Sequence, residues 1–245
     1  MNTVGPPLKK IAVFGSSGAI GRALTEQLAA QHTHATVHAF SRALPTLAAP
    51  NIRGHAVNYD DEKFLAKAVA SAAHDGSFDL VIVAIGILHQ DTVTPEKSLR
   101  DITAEKCHFL FSINTILPTL IAKHTLPHLA RDQRAVFAAL SARVGSISDN
   151  QLGGWYAYRA SKAALNMMIK NAAIETSRRN KHAIIVGLHP GTVDSALSLP
   201  FQGNVPQGKL FTPTHAAGCL ITVLNRLTPH DSGKCFAWDG QEIAP

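Results

Sequence analysis

A tyrosine and a lysine four residues apart offer the most distinctive chemistry in this chain. Tyr158 and Lys162 lie in a segment, residues 156–169, whose composition predicts a helix. Residues four apart share one face of a helix. A free tyrosine has a pKa of about 10, and a neighbouring ammonium favours its ionised form, so this pair could transfer a proton near neutral pH. The same spacing also occurs on ordinary amphipathic helices, so the interpretation depends on the rest of the chain.

A glycine-rich turn provides a second candidate site. Residues 10–14 predict a short buried strand, and residues 22–28 predict a helix. Between them lie Gly15, Gly18 and Gly21, which permit a tight turn and the close approach of a phosphate to the helix N-terminus. Their spacing differs from the common G-x-G-x-x-G pattern, but the order of strand, turn and helix predicts a dinucleotide site.

The residue after the second predicted strand indicates which dinucleotide binds. In dinucleotide-binding folds an acidic residue at this point accepts hydrogen bonds from the adenosine ribose. Here the strand, residues 35–41, is followed by Arg42, whose guanidinium could pair with a 2′-phosphate through two hydrogen bonds. Arg42 would also suit an ordinary solvent-facing loop, but no Asp or Glu ends the strand. The sequence therefore favours NADP(H) over NAD(H).

Alternating strands and helices predict the fold class. The segment 79–86 is apolar throughout its centre, as expected of a parallel strand buried on both faces. The chain shows no internal repeat or convincing linker, so we expect residues 1–245 to form a single α/β domain with a doubly wound parallel sheet. The remaining predicted strands are 52–57, 134–141, 183–188 and 235–238, and the remaining predicted helices are 61–73, 103–129 with a disturbance near Pro118, and 213–227.

Composition argues against several other classes of protein. Only 16% of the residues are charged and 46% are apolar, so the chain can bury a core. The formal charge of +6 raises the question of a nucleic-acid partner, but the basic residues are scattered and form no stripe. No apolar run reaches membrane-spanning length, and the N-terminus has no signal-peptide pattern. Three widely spaced cysteines argue against a disulfide framework or a zinc site and predict a reducing, cytoplasmic location.

Together these motifs resemble the classical short-chain dehydrogenase/reductase family over nearly the whole chain. The likeness is strongest to the branch of C-factor and sniffer-type carbonyl reductases, and it rests on segments 141–150, 153–162 and 236–240. It implies a Rossmann fold and NADP(H)-dependent reduction of an aldehyde or ketone. It also implies a homodimer or homotetramer that packs the helices carrying Asn114 and Tyr158 across two-fold axes.

The resemblance assigns roles to particular residues. Tyr158 would be the general acid–base, Lys162 would lower its pKa and bind the nicotinamide ribose, and Asn114 would anchor a water molecule of a proton relay. A segment at about 195–212 would shape an apolar substrate pocket, and no metal is implied. The cofactor-binding positions implied, besides Tyr158 and Lys162, are Gly15, Ser17, Gly18, Ile20, Gly21, Arg42, Asn58, Gly86, Pro190, Gly191, Val193 and Ser195.

Departures from the family pattern leave one function open. Ala142 stands where the family carries a serine that binds the substrate oxygen, so this hydroxyl must come from Ser141, from Ser146 or from neither. Ser141 is slightly favoured by its place at the strand end, and Ser146 by its distance along the chain from Tyr158. Asn58 replaces the customary acidic residue. A cofactor-binding signalling or regulatory protein with little turnover is therefore an alternative to an enzyme.

Overall fold

One seven-stranded sheet dominates the computed structural model, which describes residues 7–47, 49–90 and 93–245. Its strands lie in the order Ile52–Ala56, Thr36–Ser41, Lys10–Phe14, Leu80–Val83, Ala135–Leu140, Ala183–His189 and Cys235–Ala237, and every neighbouring pair is parallel. This architecture confirms the predicted α/β class. The sheet strands are β1 (Lys10–Phe14), β2 (Thr36–Ser41), β3 (Ile52–Ala56), β4 (Leu80–Val83), β5 (Ala135–Leu140), β6 (Ala183–His189) and β9 (Cys235–Ala237).

Helices cover both faces of the sheet, as the continuously apolar central strands require. Every residue of β1, β4 and β5 is buried, because the two faces pack against separate apolar clusters. The first and last helices of the chain, Ala19–Gln31 and Pro213–Arg226, contribute to one cluster. Helices Glu62–Ala73, Leu117–Thr125 and Tyr156–Ser177 contribute to the other. The helices are α1 (Ala19–Gln31), α2 (Glu62–Ala73), α3 (Ala104–Phe111), α4 (Leu117–Thr125), α5 (Tyr156–Ser177) and α6 (Pro213–Arg226).

The strand order reverses between β1 and β4, and this point sets the location of the site. The chain moves outward from β1 through β2 to β3, and then returns to β4 on the other side of β1. In open parallel sheets the crevice at the carboxyl ends of two such strands binds ligands. Strand β4 ends at Val83, three residues before the predicted end at Gly86. The Ala84 amide still donates to the Phe14 carbonyl at 2.8 Å, so the chain follows β1 for one more residue.

The predicted helix 103–129 is divided, and the division is more extensive than a disturbance near Pro118. A π-helical turn, Ser112–Ile116, separates α3 from α4, and a 3-10 turn, Leu126–His128, follows α4. Phe111, Ile116 and Leu117 keep right-handed helical φ and ψ, so the chain stays helical through the π-helical turn, which directly precedes Pro118. A proline there removes one amide donor from a continuous helix, which agrees with the disturbance expected near Pro118. Single π-helical turns often occur at functional sites, and this one contains Asn114.

The predicted substrate loop is partly ordered. Two short parallel strands, β7 (Thr192–Val193) and β8 (Leu210–Phe211), close its ends into a small second sheet. Between them lies a 3-10 turn, Leu199–Asn204. The loop is therefore an excursion from the main sheet, and the pairing of β7 with β8 forms its base. Within the described ranges no helix is long and apolar enough to cross a membrane.

Candidate active site

The glycine turn forms because three backbone segments approach too closely for side chains. The amides of Gly15 and Ser16 both donate to the Phe40 carbonyl, at 2.9 and 3.1 Å, which folds the turn over the end of β2. Gly15 has a φ of +82°, and a Cβ there would lie 2.6 Å from the Ala84 carbonyl oxygen. A Cβ on Gly21 would lie 2.1 Å from the Gly15 oxygen. Only glycine fits at these two positions.

The start of α1 suits a bound pyrophosphate. Gly18 precedes the first turn, and no side chain caps the amides there, so donors and the positive end of the helix dipole remain for an anion. Ser17 and Gly18 are exposed beside the crevice, whereas Ile20 packs partly against the core. The residues present therefore fit the phosphates of a dinucleotide, with Ile20 supporting the turn through packing.

The next part of the crevice carries Arg42, Asn58 and a tyrosine that the sequence did not single out. Arg42 is exposed directly after β2, and Asn58 Oδ1 accepts the Asp60 amide at 3.1 Å. Burial raises the pKa of Tyr59, whereas the nearby Gly15 amide and Arg42 oppose this rise. Its buried hydroxyl has no hydrogen-bond partner among the described residues. Tyr59 thus lies between the glycine turn and the arginine.

Helix α5 brings Tyr158 and Lys162 to the carboxyl edge of the sheet, and both side chains are buried. Lys162 Nζ donates to the Leu140 carbonyl at 2.8 Å and lies 6.0 Å from the centroid of the Tyr158 ring. Burial lowers the pKa of Lys162 to about 8 and raises the pKa of Tyr158 to about 12. Burial therefore disfavours the charged form of both side chains.

Asn114 joins the π-helical turn to the end of β4 and to α5. Its Oδ1 accepts the Ile87 amide at 2.8 Å, and its Nδ2 donates to the Ile87 carbonyl at 2.8 Å and to Ser161 Oγ at 3.1 Å. A Cβ on Gly86 would lie 3.2 Å from Lys162 Nζ and 3.5 Å from Asn114 Oδ1. The fold therefore brings Gly86, Asn114 and Lys162 together.

The two candidate serines are hydrogen bonded to other groups. Ser141 Oγ donates to Asn166 Oδ1 at 2.6 Å. Ser146 Oγ donates to the Pro245 carbonyl at 3.3 Å and accepts the Asp149 amide at 3.1 Å. The apolar cluster that contains Tyr158 instead includes Ala142. Neither serine hydroxyl is left without a partner, and a methyl group lies in the cluster around the tyrosine.

The segment after β6 also turns sharply at a glycine. Gly191 has a φ of +77°, and a Cβ there would lie 2.7 Å from the Phe211 ring and 3.1 Å from Trp238. Pro190 is half-buried beside it, and Val193 is buried. Ser195 Oγ donates to the Val193 carbonyl at 3.2 Å, so its hydroxyl helps to close the loop.

The family follows from a comparison with known proteins. The family model described as short chain dehydrogenase matches residues 9–203. The chain belongs to the short-chain dehydrogenase family. It is therefore an oxidoreductase of that family, as the resemblance implied.

Relatives and solved structures agree with this membership. C-signal of Myxococcus xanthus is 34% identical over 133 residues, which cover 54% of this chain and 75% of C-signal. The 1-hydroxy-2-glutathionyl-2-methyl-3-butene dehydrogenase of Rhodococcus sp. is 37% identical over 128 residues, and the match spans about half of each protein (52% and 54%). NADPH-bound carbonyl reductase from chicken fatty liver has a TM-score of 0.83 at 23% identity and covers 99% of this chain and 97% of its own. The Sniffer carbonyl reductase of D. melanogaster has a TM-score of 0.84 at 21% identity, and the match covers 97% of this chain and 100% of the Sniffer chain. At these identities the two structures show the fold alone.

The contact between Gly21 and Gly15 yields a prediction about stability. We expect Gly21→Ala to lower the free energy of unfolding by about 1–3 kcal/mol, because the added methyl overlaps the Gly15 carbonyl. Gly18→Ala is the matched control, since a Cβ there meets Gly15 O at 3.4 Å and the φ of −73° suits alanine. Urea unfolding without cofactor measures both. Equal stability of the two variants would show that the turn is not closely packed.

Proposed function

We propose that this short-chain dehydrogenase uses NADPH to reduce an aldehyde or ketone, with Tyr158 as the proton donor. The main support is that Tyr158 and Lys162 are buried at the carboxyl edge of the sheet, which is also the edge where the glycine turn lies. NADPH, when bound, would supply the hydride. The glycine turn and the α1 N-terminus would hold its pyrophosphate, and Lys162, with Gly86 and the segment 190–195, would bind its nicotinamide half.

The pKa values of Tyr158 and Lys162 support different roles for these two side chains in the reaction. With a pKa of about 12, Tyr158 carries its proton at neutral pH and can donate it to a carbonyl oxygen. With a pKa of about 8, Lys162 is mostly charged at pH 7, and it has no ion-pair partner among the described residues. Its ammonium would therefore stabilise the phenolate as Tyr158 loses the proton. Lys162 would thus act mainly during the reaction, when negative charge develops on the tyrosine.

Asn114 would organise the route by which Tyr158 regains its proton. Its side chain is held by Ile87 and Ser161, so its Oδ1 has a fixed direction beside Gly86 and Lys162. A carbonyl oxygen has two acceptor positions, and Ile87 uses one. The second would receive a water molecule between Lys162 and solvent.

A second candidate function is a cofactor-binding signalling protein with little turnover. It is supported by Ala142, whose methyl lies in the cluster around Tyr158 while Ser141 and Ser146 bond to other groups. The similarity to C-signal is in agreement with this alternative. Fluorescence titration with NADPH, followed by a panel of carbonyl compounds, separates the two functions. Tight binding with turnover supports the reductase, and tight binding without turnover supports the alternative.

The role of Tyr158 can be tested with a neighbouring tyrosine as control. We expect Tyr158→Phe to lower kcat by about 10²–10⁴-fold, because it removes the proton donor, with NADPH binding retained. Tyr156→Phe should keep full activity, since Tyr156 is two residues away and exposed. Steady-state kinetics and NADPH fluorescence measure these effects. Unchanged turnover of Tyr158→Phe would refute the assignment.

The choice of NADPH can be tested at Arg42. We expect Arg42→Ala to weaken NADPH binding about 10–100-fold, because a charged hydrogen bond to the 2′-phosphate is lost, and to leave NADH binding almost unchanged. Arg53→Ala is the control, because Arg53 is an exposed arginine on the adjacent strand β3. Fluorescence titration of both cofactors gives the affinities. An equal loss for NADPH and NADH would contradict the assignment.

We also propose that two copies pair through the surface of α4 and α5. A cleft of about 400 Å³ lies between these helices, with Leu126, Leu165 and Met168 among its lining residues. Apolar side chains are exposed along α5, including Met168 (44%) and Ile174 (47%). Exposed apolar area of this kind marks an interaction surface, and a matching surface on a second copy would cover it.

Sedimentation velocity tests this pairing. We expect Met168→Glu to convert the dimer or tetramer to a smaller species, because a charge would be buried in an apolar contact. Phe64→Glu on α2 is the control, since Phe64 is similarly exposed (46%) but lies outside the cleft. A monomeric wild-type protein, or an unchanged assembly in Met168→Glu, contradicts the proposal.

The location in the cell completes the proposal. All three cysteines, Cys107, Cys219 and Cys235, are free thiols. Free thiols persist in reducing compartments, and for this reason we place the enzyme in the cytoplasm.

A further inference from the structure

A strained tryptophan begins the helix that carries Tyr158. Gly153, Gly154 and Trp155 have φ values of +62°, +63° and +51°, and Trp155 is the only non-glycine residue with a positive φ among the residues described. This conformation is costly for a bulky side chain. Such strain persists only where the surrounding structure enforces it, and it is concentrated at functional sites. The positive φ of Trp155 therefore indicates that this turn has a functional role.

Glu96 holds the strained turn in place. Its carbonyl accepts the Trp155 amide at 2.6 Å, and its carboxylate Oε2 accepts the Ala157 amide at 3.2 Å. The Glu96 residue is 1% exposed, and Oε1 has no hydrogen-bond partner within the described ranges. A negative charge suits a helix N-terminus, where no side chain of Trp155 caps α5. One buried residue thus fixes both the backbone of Trp155 and the first turn of α5.

The turn places the indole against the proposed catalytic tyrosine. The rings of Trp155 and Tyr158 meet edge to face, with centroids 6.1 Å apart. On the other side, Trp155 contacts Phe201, with a centroid distance of 5.1 Å and an angle of 60°. Phe201 in turn meets the His89 ring at 5.6 Å. We call the Trp155, Phe201 and His89 rings the aromatic wall, and it begins at Tyr158.

The segment that carries Phe201 is held by specific hydrogen bonds. His89 Nε2 is 3.1 Å from the Leu197 carbonyl oxygen, and the Phe201 amide donates to the Ser198 carbonyl at 2.8 Å. Ser198 Oγ donates to the Val193 carbonyl at 2.5 Å, at the base of the excursion. The Phe201 ring is therefore presented by a hydrogen-bonded turn.

The surroundings of the aromatic wall are apolar. Leu88, Leu110, Ala142, Val144 and Leu197 belong to the same cluster as Trp155, Tyr158 and Phe201. The two flanking segments also expose large apolar side chains: Ile147 is 79% exposed, Leu152 is 90% exposed and Leu199 is 66% exposed. An uncharged substrate with one polar group suits such a lining, because that group can meet the Tyr158 hydroxyl while the rest contacts apolar side chains.

We propose that the substrate carries its carbonyl on a flat aromatic ring, which lies against the aromatic wall while the oxygen meets Tyr158. This inference rests on the proposed function and names its substrate class. Aromatic pairs in offset or edge-to-face geometry add to the affinity that apolar burial provides, by a factor of about 2–12. A saturated ring of the same size would fill the space without this contribution.

Matched ketones test the aromatic wall. Acetophenone and cyclohexyl methyl ketone differ in the ring, and their intrinsic reactivity cancels when wild type and variant are compared. We expect Phe201→Leu to raise KM for acetophenone about tenfold relative to the KM for cyclohexyl methyl ketone. Phe64→Leu, which removes an exposed ring on α2, should leave this ratio unchanged. An equal effect of Phe201→Leu on both ketones overturns the aromatic substrate but leaves the reductase standing.

A binding measurement keeps the proposal testable if turnover is absent or if Phe201→Leu does not fold. The chain has two tryptophans, Trp155 and Trp238, so Trp238→Phe leaves Trp155 as the only indole emitter. We expect 1-phenylethanol to quench its emission saturably, at severalfold lower concentration than 1-cyclohexylethanol. Equal or absent quenching by the two alcohols contradicts the aromatic wall. Failure of every carbonyl to be reduced would instead refute the proposed function.

Discussion

The close approach of backbone segments at Gly15 is the constraint on which the rest of the site depends. Gly15 lies against the Ala84 carbonyl on one side and against Gly21 on the other, at the point where the strand order reverses. This contact brings the free amides of α1 to the edge where β4 ends. Gly86 continues from that edge and lies beside Lys162 and Asn114. The proposed binding sites for the phosphates and for the nicotinamide therefore both depend on the contact of Gly15 with Ala84.

Burial determines the electrostatics of the proposed chemistry. It raises the pKa of Tyr158 and lowers that of Lys162, because both charged forms lose hydration. The Lys162 ammonium donates to the Leu140 carbonyl and has no ion-pair partner among the described residues. Its positive charge can therefore stabilise a phenolate that develops on Tyr158. Ala142 contributes a methyl group to the apolar cluster around Tyr158, while Ser141 and Ser146 hydrogen bond to other groups. In our proposal the tyrosine and lysine therefore provide most of the stabilisation of the reacting oxygen.

In our proposal the turn before α5 connects the catalytic tyrosine to the choice of substrate. Trp155 adopts a strained conformation, and Glu96 stabilises it through two hydrogen bonds from a position far away in the sequence. The same turn fixes Tyr158 three residues later and sets the indole against Phe201. In our proposal the strained residue, the proton donor and the pocket wall are therefore coupled through the first turn of α5. For the proposed function, the geometry of catalysis and the shape of the pocket would depend on each other.

The sequence by itself determined the α/β class, the family, the glycine turn and the Tyr158–Lys162 pair, because these depend on spacing along a helix or strand and on the conformational freedom of glycine. It also identified Ala142 as a departure. Only the tertiary structure decided how the long helix divides at Ser112, which groups Ser141 and Ser146 hydrogen bond to, and how deeply Tyr158 and Lys162 are buried. The sequence also did not predict that Glu96 hydrogen bonds to the Trp155 turn, or that Tyr59 lies beside Gly15. Local patterns follow from the covalent chain, whereas these features depend on packing between segments that are distant in sequence.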